Sequence, residues 1–296
     1  MQPPSLRFVA RVGAALGPVL APHVRSIWAS RGPAPAPEER VLPDGGGALI
    51  VNLGPTLRTG HQGEDLPWRP GEALLSGALR TWASVRYPTG ATHEQVGALF
   101  WAGGLAALTP LAAGLAEQAA VGSIGRLGGG GGHLDGLAER LAAVSDLDQR
   151  VVLMIQALEA ALRANGARAE RPLGAKLLAL CEAAPTVDAA ALVARGGWSA
   201  QHLNRQLRAE GGLSLKGLQR VARLQAALRA LRTSAAVGEV GSTLQYADQA
   251  HFAHDLRALT GLSASALRAL GPPAAGRILS VPAEVQFLQG GSKRGA

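Results

Sequence analysis

Residues 186–214 read TVDAAALVARGGWSAQHLNRQLRAEGGLS, and this segment predicts two short helices in the C-terminal third of the chain. The carboxylate of Asp188 can accept hydrogen bonds from the free amides of a first helical turn, which predicts a helix over 189–195. Two glycines end that helix, because glycine adopts the left-handed conformation of a tight turn without steric cost. The hydroxyl of Ser199 then caps a second predicted helix, over 200–210.

The second predicted helix has one apolar and one polar face. Leu203 and Leu207 lie one turn apart and are predicted to face inward. Glutamine and asparagine amides can pair bidentately with adenine, and arginine guanidinium groups with guanine, so a helix, a short turn and such a helix suit the DNA major groove. The residues that share the outer face are Gln201, Asn204, Arg205 and Arg208.

A long helix over 214–231 is predicted to follow. Lys216, Arg220 and Arg223 are expected on its outside. Its spacing of apolar residues fits a helix that is buried along one side. The residues expected to be buried are Leu218, Val221, Leu224, Leu228 and Leu231.

The pattern of a short helix and a capped helix then recurs. A short helix over 237–244 and a turn precede Asp248, which can cap a helix that buries Phe252, Leu256 and Leu259. Two such units joined by a rigid helix can enter successive major grooves on one side of the duplex, about one helical turn apart. The outer face of this last helix carries Gln249, Ala250, Ala253, His254 and Arg257.

The motifs resemble those of the AraC/XylS family of transcription regulators. Residues 245–257, QYADQAHFAHDLR, and residues 259–265, LTGLSAS, are similar to the family signature, and residues 199–215 and 220–228 resemble its first unit and linker. The resemblance implies a DNA-binding domain over 173–270, built from two helix-turn-helix units.

The resemblance also carries over individual DNA-contacting positions. Three residues depart from the family pattern: Gln245 replaces the usual glycine, Leu256 a phenylalanine and His254 an arginine. The second unit is therefore expected to pack less tightly or to read a different base, and a neutral histidine contacts DNA more weakly than an arginine. The positions that match base-reading residues are Gln201, Asn204, Arg205, Gln249, Ala250, His251 and His254, and Arg208 and Arg257 are added from the same outer faces.

Charge favours a polyanionic partner. The formal net charge is +8, and residues 187–270 carry ten basic side chains against five acidic ones. An ordinary helical bundle with surface arginines would give the same excess, so the charge supports the double motif without replacing it. The expected partner is double-stranded operator DNA, with RNA polymerase as a further candidate.

The chain of 296 residues, 47% of them hydrophobic, is long enough for two compact domains. Residues 1–165 are predicted to form a sensor domain, β-rich to about residue 105 and helical after it, with a strand over 47–54. Residues 166–172 are predicted to be a linker and 271–296 a tail. The expected fold class is α+β, with an all-α C-terminal domain.

The N-terminal domain is the candidate sensor. Segments of it, including residues 20–28, 41–45 and 99–105, resemble an uncharacterised domain that precedes the DNA-binding module in some family members. Regulators of this architecture usually sense a ligand there, so a small-molecule effector is a candidate partner. Four tryptophans are candidates to line a pocket, although packing in the core also explains them: Trp28, Trp68, Trp82 and Trp101.

An enzyme is the second class of function that we consider, and the sequence is searched for catalytic motifs. His61 and His93 with Glu64, Asp65 and Glu94 are the candidate metal or acid–base residues if they approach one another. The sequence has no His-Glu-x-x-His motif and no nucleophile elbow. We therefore predict no enzyme, no cofactor, no metal and no catalytic residue.

Two further motifs favour ordinary structure. Cys181 lies in an apolar run, which predicts a buried helix position and argues against the cysteine-dependent repair enzymes that share this DNA-binding module. The glycine run 128–132 is followed by His-Leu-Asp rather than by Lys-Ser or Lys-Thr, which indicates a connection between helices rather than a phosphate-binding loop.

Two alternative functions stay open, and one of them is an enzyme with an unrecognised active site in the N-terminal domain. A sequence-independent architectural DNA-binding protein would share the fold and the charge. Residues 8–21 are weakly apolar but are interrupted by Arg11 and Pro18, so we expect no signal peptide, no membrane partner and a cytoplasmic protein. The oligomeric state stays undecided, because two units in one chain explain two DNA contacts without a dimer.

Overall fold

The structure is a computed structural model. It describes residues 5–34, 36–61, 64–108, 119–122, 132–233, 236–270 and 278–281. Gly128 to Gly131 of the glycine run and most of the predicted tail lie outside the described residues. The predicted α+β class is confirmed, with strands in the N-terminal part and helices in the C-terminal part.

The described residues contain eleven strands, arranged in two antiparallel sheets. The first sheet has the order β1-β2-β9-β4-β7-β10, and the second has the order β11-β3-β8-β5-β6. The predicted strand over 47–54 is confirmed as β4. The strands are β1 Arg7–Val12, β2 Val24–Pro33, β3 Glu38–Val41, β4 Ala48–Asn52, β5 Leu57–His61, β6 Leu66–Trp68, β7 Ala73–Ser76, β8 Ala83–Arg86, β9 Thr92–Phe100, β10 Ala119–Gly122 and β11 Ile278–Val281.

Two strands lie where the sequence predicts something else. β10 falls in the region that is predicted to be helical, and it pairs with β7. β11 falls in the predicted tail, and it pairs with β3. Both are four-residue segments, too short for hydrophobic periodicity to distinguish a strand from a helix, and an available sheet edge decides their conformation.

Alternation along the strands gives the first sheet two apolar faces. Ile27 and Ala29 on β2, like Val96 and Ala98 on β9, pack with helices in one large core cluster. The alternate residues of the same strands point the other way. They include Trp28 on β2 and His93 on β9, and they line a cavity between the two sheets. The N-terminal region is therefore layered as helices, sheet, cavity and sheet.

Ten α-helices lie in the described residues, with short 3-10 turns at Gly13–Leu16 and Gly104–Ala107. The predicted helical region 133–164 is split at the cap residue Asp146, whose side chain accepts from the backbone N of Gln149. The helices are α1 Gly17–Leu20, α2 Leu137–Ala142, α3 Leu147–Ala164, α4 Leu173–Ala183, α5 Ala189–Arg195, α6 Ala200–Gly211, α7 Leu215–Arg232, α8 Val237–Thr243, α9 Gln249–Thr260 and α10 Ala264–Leu270.

Helix α7 is shared by two apolar clusters. Its first half, with Leu218 and Val221, packs with α4, α5 and α6. Its second half, with Leu224 and Leu228, packs with α8, α9 and α10. The two clusters are the cores of the two predicted units, and α7 is the rigid connection between them. Cys181 is fully buried in the first cluster, as predicted, and burial raises the pKa of its thiol to about 11.

Candidate nucleic-acid interface

The first unit is capped as the sequence predicts. The side chain of Asp188 accepts from the backbone N of Ala190 at 3.2 Å, and the turn to α6 has Gly197 at a φ of +66°. The Ser199 hydroxyl accepts from the backbone N of His202 at 3.2 Å. These caps fix where α6 begins, and hence which of its side chains point outward.

The outer face of α6 carries three exposed polar side chains and one that is engaged within the protein. Gln201, Arg205 and Arg208 are exposed. Asn204 is half-buried: its Nδ2 donates to the carbonyl of Ala200 at 2.9 Å, and its Oδ1 accepts from the backbone N of Leu215 at 3.0 Å. Both ends of this amide are used inside the protein, where they join α6 to the start of α7.

One surface groove gathers the predicted residues of the first unit. Gln201, Arg205 and Arg208 line it together with Lys216, which is exposed at the start of α7. From the sequence, Lys216 is predicted to lie outside but is not among the expected DNA contacts. Its position beside the exposed arginines makes it a candidate phosphate contact, because a lysine ammonium group neutralises a phosphate without reading a base.

The expectation that Arg220 and Arg223 lie outside is only partly met. Arg220 is half-buried, and its Nε donates to a carboxylate oxygen of Asp255 on α9 at 2.6 Å. Arg223 lies with its guanidinium carbon 5.3 Å from the ring centre of Tyr246. Tyr246 also donates its hydroxyl to Asp255 at 2.9 Å. Hydrophobic periodicity predicts which face of α7 is buried, but it does not predict these partners. The contacts with them connect α7 to α9.

The turn between α8 and α9 places a non-glycine residue in the left-handed region. Gln245 has a φ of +56°. Its backbone N donates to the carbonyl of Ser242, and the next backbone N donates to the carbonyl of Gly241. This is the helix-ending turn that usually takes glycine, so the departure noted in the sequence has a conformational cost here.

The second unit is also capped as predicted. Asp248 accepts from the backbone N of His251 at 2.7 Å, and Leu256, which replaces the family's usual phenylalanine, is 2% exposed in its cluster. The side chain of Gln249 lies over Gly238 of α8, where an added Cβ would be 2.9 Å from the Gln249 Nε2. The ring of His251 stands edge-on to Tyr246, with 5.3 Å between ring centres.

The remaining predicted residues of α9 are exposed. They lie along the side of the helix opposite to Phe252 and Leu259, which are buried. This exposed side of α9 is the candidate DNA-contacting surface of the second unit. The exposed residues of α9 are Gln249, Ala250, His251, Ala253, His254 and Arg257.

Both outward-facing helices end against the N-terminal region. The carbonyl of Gly212, at the end of α6, accepts from Arg80 Nη2 at 3.1 Å. The carbonyl of Thr260, at the end of α9, accepts from Arg40 Nη1 at 3.2 Å. Leu42 is fully buried in the cluster of the second unit. The two helices are therefore held at their C-terminal ends by one body.

The residues considered for an enzyme lie in separate places, and only His61, Glu64 and Asp65 share a pocket. His61 lies with Glu64 and Asp65 in a surface pocket, where its Nδ1 is 3.3 Å from the carbonyl oxygen of Trp82. His93 lines the cavity between the sheets. Glu94 accepts from Arg150 Nη1 at 2.6 Å. Within the described part of the chain, no group of three or more His, Cys, Asp or Glu residues has a geometry that could hold a metal ion.

Two of the four candidate tryptophans line the cavity between the sheets. Trp28 and Trp68 belong to its lining. Trp82 instead packs under the guanidinium of Arg40, 4.2 Å from its ring centre, and Trp101 packs against Arg171. Sequence alone could not separate these roles, because they depend on partners far away in the chain, such as Arg40 for Trp82 and Arg171 for Trp101.

Among the described residues, no helix has the length and apolar character required to cross a membrane. A comparison with curated protein sequences gives no match. Among solved structures, ToxT from Vibrio cholerae is similar, with a TM-score of 0.46 and 7% identity over 90% of this chain and 98% of that chain. A structure of unsaturated fatty acid bound ToxT from strain SCE256 gives a TM-score of 0.44 and 8% identity over 90% and 94%.

At TM-scores below 0.5 these similarities do not carry an assignment, which rests instead on the helical domain itself. Residues 192–269 match a family model described as a helix-turn-helix domain. This range contains α6, α7, α8 and α9, with the caps and the apolar clusters described above. Residues 192–269 therefore form a helix-turn-helix domain, and the chain is a DNA-binding transcription regulator.

Proposed function

We propose that the chain is a cytoplasmic regulator that reads two successive major grooves of one operator, with α6 in the first and α9 in the second. The observation that carries this proposal is the pair of capped helices with exposed polar edges, joined through α7. Gln201 and Arg205 supply base-reading groups on α6, and Gln249, His254 and Arg257 supply them on α9.

Asn204 has a different proposed role from the one that the sequence suggests. Its amide is occupied by Ala200 and Leu215, so we assign it to positioning α6 against α7. Ala250 and His251 stay proposed contacts, Ala250 through a thymine methyl group and His251 at the beginning of α9. Arg208 and Lys216 are proposed phosphate contacts beside the first groove.

The N-terminal region is proposed to control DNA binding through a small-molecule effector. β3 supports this proposal, because its alternating side chains serve two sites. Glu39 and Val41 line the cavity between the sheets. Arg40, between them, donates to the end of α9. A ligand that moves β3 would therefore bias the position of the second recognition helix.

The operator assignment is tested with the full-length protein. A pool of random duplexes is selected for binding, and the affinity for the recovered site is compared with the affinity for scrambled DNA at fixed salt. Arg205→Ala and Gln249→Ala should each relax the base preference at one position, in different half-sites, at a cost of roughly 1–3 kcal/mol. Arg69→Ala, an exposed arginine on a turn of the N-terminal region, is the control and should change nothing.

The main rival is an architectural protein that binds any duplex. It predicts equal affinity for the selected and scrambled DNA, a steep salt dependence, and uniform weakening by both recognition-helix variants. That result would remove the two-groove proposal. We keep the prediction that the chain is not an enzyme, and RNA polymerase stays a proposed partner.

A further inference from the structure

The cavity between the two sheets has the size and shape of a small-molecule site. Its volume is about 430 Å³. Sites for small molecules usually enclose about 300–1,000 Å³. Leu6, Phe8 and Val12 line one side of it and are 42%, 61% and 60% exposed. The cavity therefore opens along β1, at the edge of the first sheet, through an apolar rim.

The walls are mostly apolar, and several of their polar groups are hydrogen-bonded within the protein. Glu39 accepts from the hydroxyl of Tyr87 at 2.6 Å. The indole nitrogen of Trp68 donates to the carbonyl of Glu72 at 2.9 Å. The Nε2 atom of His93 lies 2.5 Å from the Ser30 hydroxyl. These pairs need nothing from a ligand.

One nitrogen of the lining is fully buried and has no hydrogen-bond partner among the described residues. This atom is the Nδ1 of His93, whose side chain is only 7% exposed. A buried polar atom without a partner is destabilising, so such an atom beside a cavity is a candidate contact for a polar group of a ligand. The Ser30 hydroxyl can donate or accept, so the Nδ1 of His93 can accept from a ligand or donate to it.

The charges in the cavity select against an anion. The lining contains no lysine or arginine among the described residues, and its one ionisable acid is Glu39. Burial lowers the pKa of His93 to about 4, so its ring is neutral at physiological pH. An anionic group buried there would have no cation to pair with and would lie in the same cavity as a carboxylate.

We infer that this cavity binds a neutral, largely apolar molecule that carries one hydroxyl or carbonyl group, and that the Nδ1 of His93 holds this group. The role of this ligand as the effector rests on the proposed function, whereas the binding site is argued from the cavity alone. Ring stacking contributes as well, because Trp28 and Phe8 lie on the wall near the opening, with 6.0 Å between their ring centres.

Three probes with one ring system separate the contributions of apolar packing, a hydroxyl group and a negative charge: biphenyl, 4-phenylphenol and biphenyl-4-carboxylate. Their binding to the full-length protein is measured by equilibrium dialysis at pH 7. We expect 4-phenylphenol to bind about fivefold more tightly than biphenyl, the value of one net hydrogen bond. The carboxylate should bind at least about tenfold more weakly than the phenol. His93→Leu should remove the advantage of the phenol and leave biphenyl unchanged.

A second variant keeps the test decisive if His93→Leu does not fold. Ala83→Leu fills the cavity from β8 with a larger apolar side chain and should abolish binding of both neutral probes without lowering the thermal midpoint. Equal or tighter binding of the carboxylate, a phenol advantage that survives His93→Leu, or no saturable binding of either neutral probe overturns the inference.

Operator binding is measured on the same preparations, so that the two proposals can fail separately. Operator binding without probe binding removes the ligand assignment alone. Probe binding without any preference for an operator leaves the cavity site in place and removes the regulatory proposal.

Discussion

At the scale of single residues, Gln245 shows how a substitution in a family motif is tolerated. The turn that ends α8 requires the left-handed conformation, and Gln245 adopts it at a φ of +56°. This conformation costs a residue with a Cβ about 1–2 kcal/mol of conformational free energy, whereas glycine adopts it without that cost. The surrounding hydrogen bonds to Ser242 and Gly241 hold the turn in spite of that cost.

Replacing this residue should therefore stabilise the second unit. Gln245→Gly relieves the strain but gives the unfolded chain more freedom, so we expect the free energy of unfolding to rise by about 0.5–1 kcal/mol. Urea denaturation measures this free energy of unfolding. Ala247→Gly, in the same turn but without a positive φ, is the matched control and should lower stability by a similar amount. Destabilisation by both variants would contradict the strain argument.

His93 should make stability depend on pH. Burial lowers its pKa to about 4, so the unfolded chain takes up its proton near pH 6.5 while the folded chain does not. The unfolded state therefore binds more protons between pH 6.5 and 4, and stability falls as pH falls through that window. The contribution reaches about 3 kcal/mol below pH 4.

The measurement compares wild type with His93→Gln, because carboxylates titrate in the same range in both proteins. The loss of unfolding free energy between pH 7 and pH 4 should be smaller in His93→Gln than in wild type. Identical pH profiles of the two proteins would show that burial does not lower the pKa of His93 in the folded state.

At the scale of elements, the second recognition helix is held by a polar cluster as well as by apolar packing. Asp255 of α9 accepts from Arg220 of α7 and from the hydroxyl of Tyr246. The Arg223 guanidinium lies over the Tyr246 ring. These contacts set the rotation of α9 about its own axis, because they act on one side of the helix.

Removing the carboxylate should loosen that helix. Asp255→Ala leaves Arg220 and Tyr246 without this partner, and we expect a loss of about 2 kcal/mol in unfolding free energy. Affinity for the selected operator should fall more than affinity for scrambled DNA, since base contacts need a fixed α9 and phosphate contacts need it less. Asp248→Ala, which removes only the cap of α9, should cost about 1 kcal/mol. Equal stability of wild type and Asp255→Ala would show that apolar packing alone positions the helix.

How far the sequence predicts each element depends on the range of the interactions that form it. The bounds of α5, α6 and α9 follow from caps such as Asp188 and Ser199, which act within one helical turn. The contact of Asn204 with Leu215 spans eleven residues and that of Arg220 with Asp255 spans thirty-five, and no local pattern encodes them. The same holds for β11, whose conformation depends on pairing with β3.

At the scale of the whole molecule, the interface between the two halves is formed by the N-terminal region and the ends of the recognition helices. Leu42 packs in the core of the second unit, and the amide of Gln225 donates to the carbonyl of Pro43 at 2.8 Å. These residues follow β3 directly in the chain. The interface is therefore continuous with a strand that lines the cavity.

This continuity predicts that a ligand in the cavity changes operator affinity through β3. In wild type, saturating 4-phenylphenol should change the dissociation constant for the operator by at least about fivefold, and the operator should change the affinity for the phenol by the same factor. Leu42→Ala weakens the packing between β3 and α9 without touching the cavity lining. It should bind the phenol with unchanged affinity and lose the effect on the operator. Arg69→Ala should keep both properties. Coupling that survives in Leu42→Ala would place the connection between the cavity and DNA elsewhere in the interface, such as at the contact of Arg80 with the end of α6.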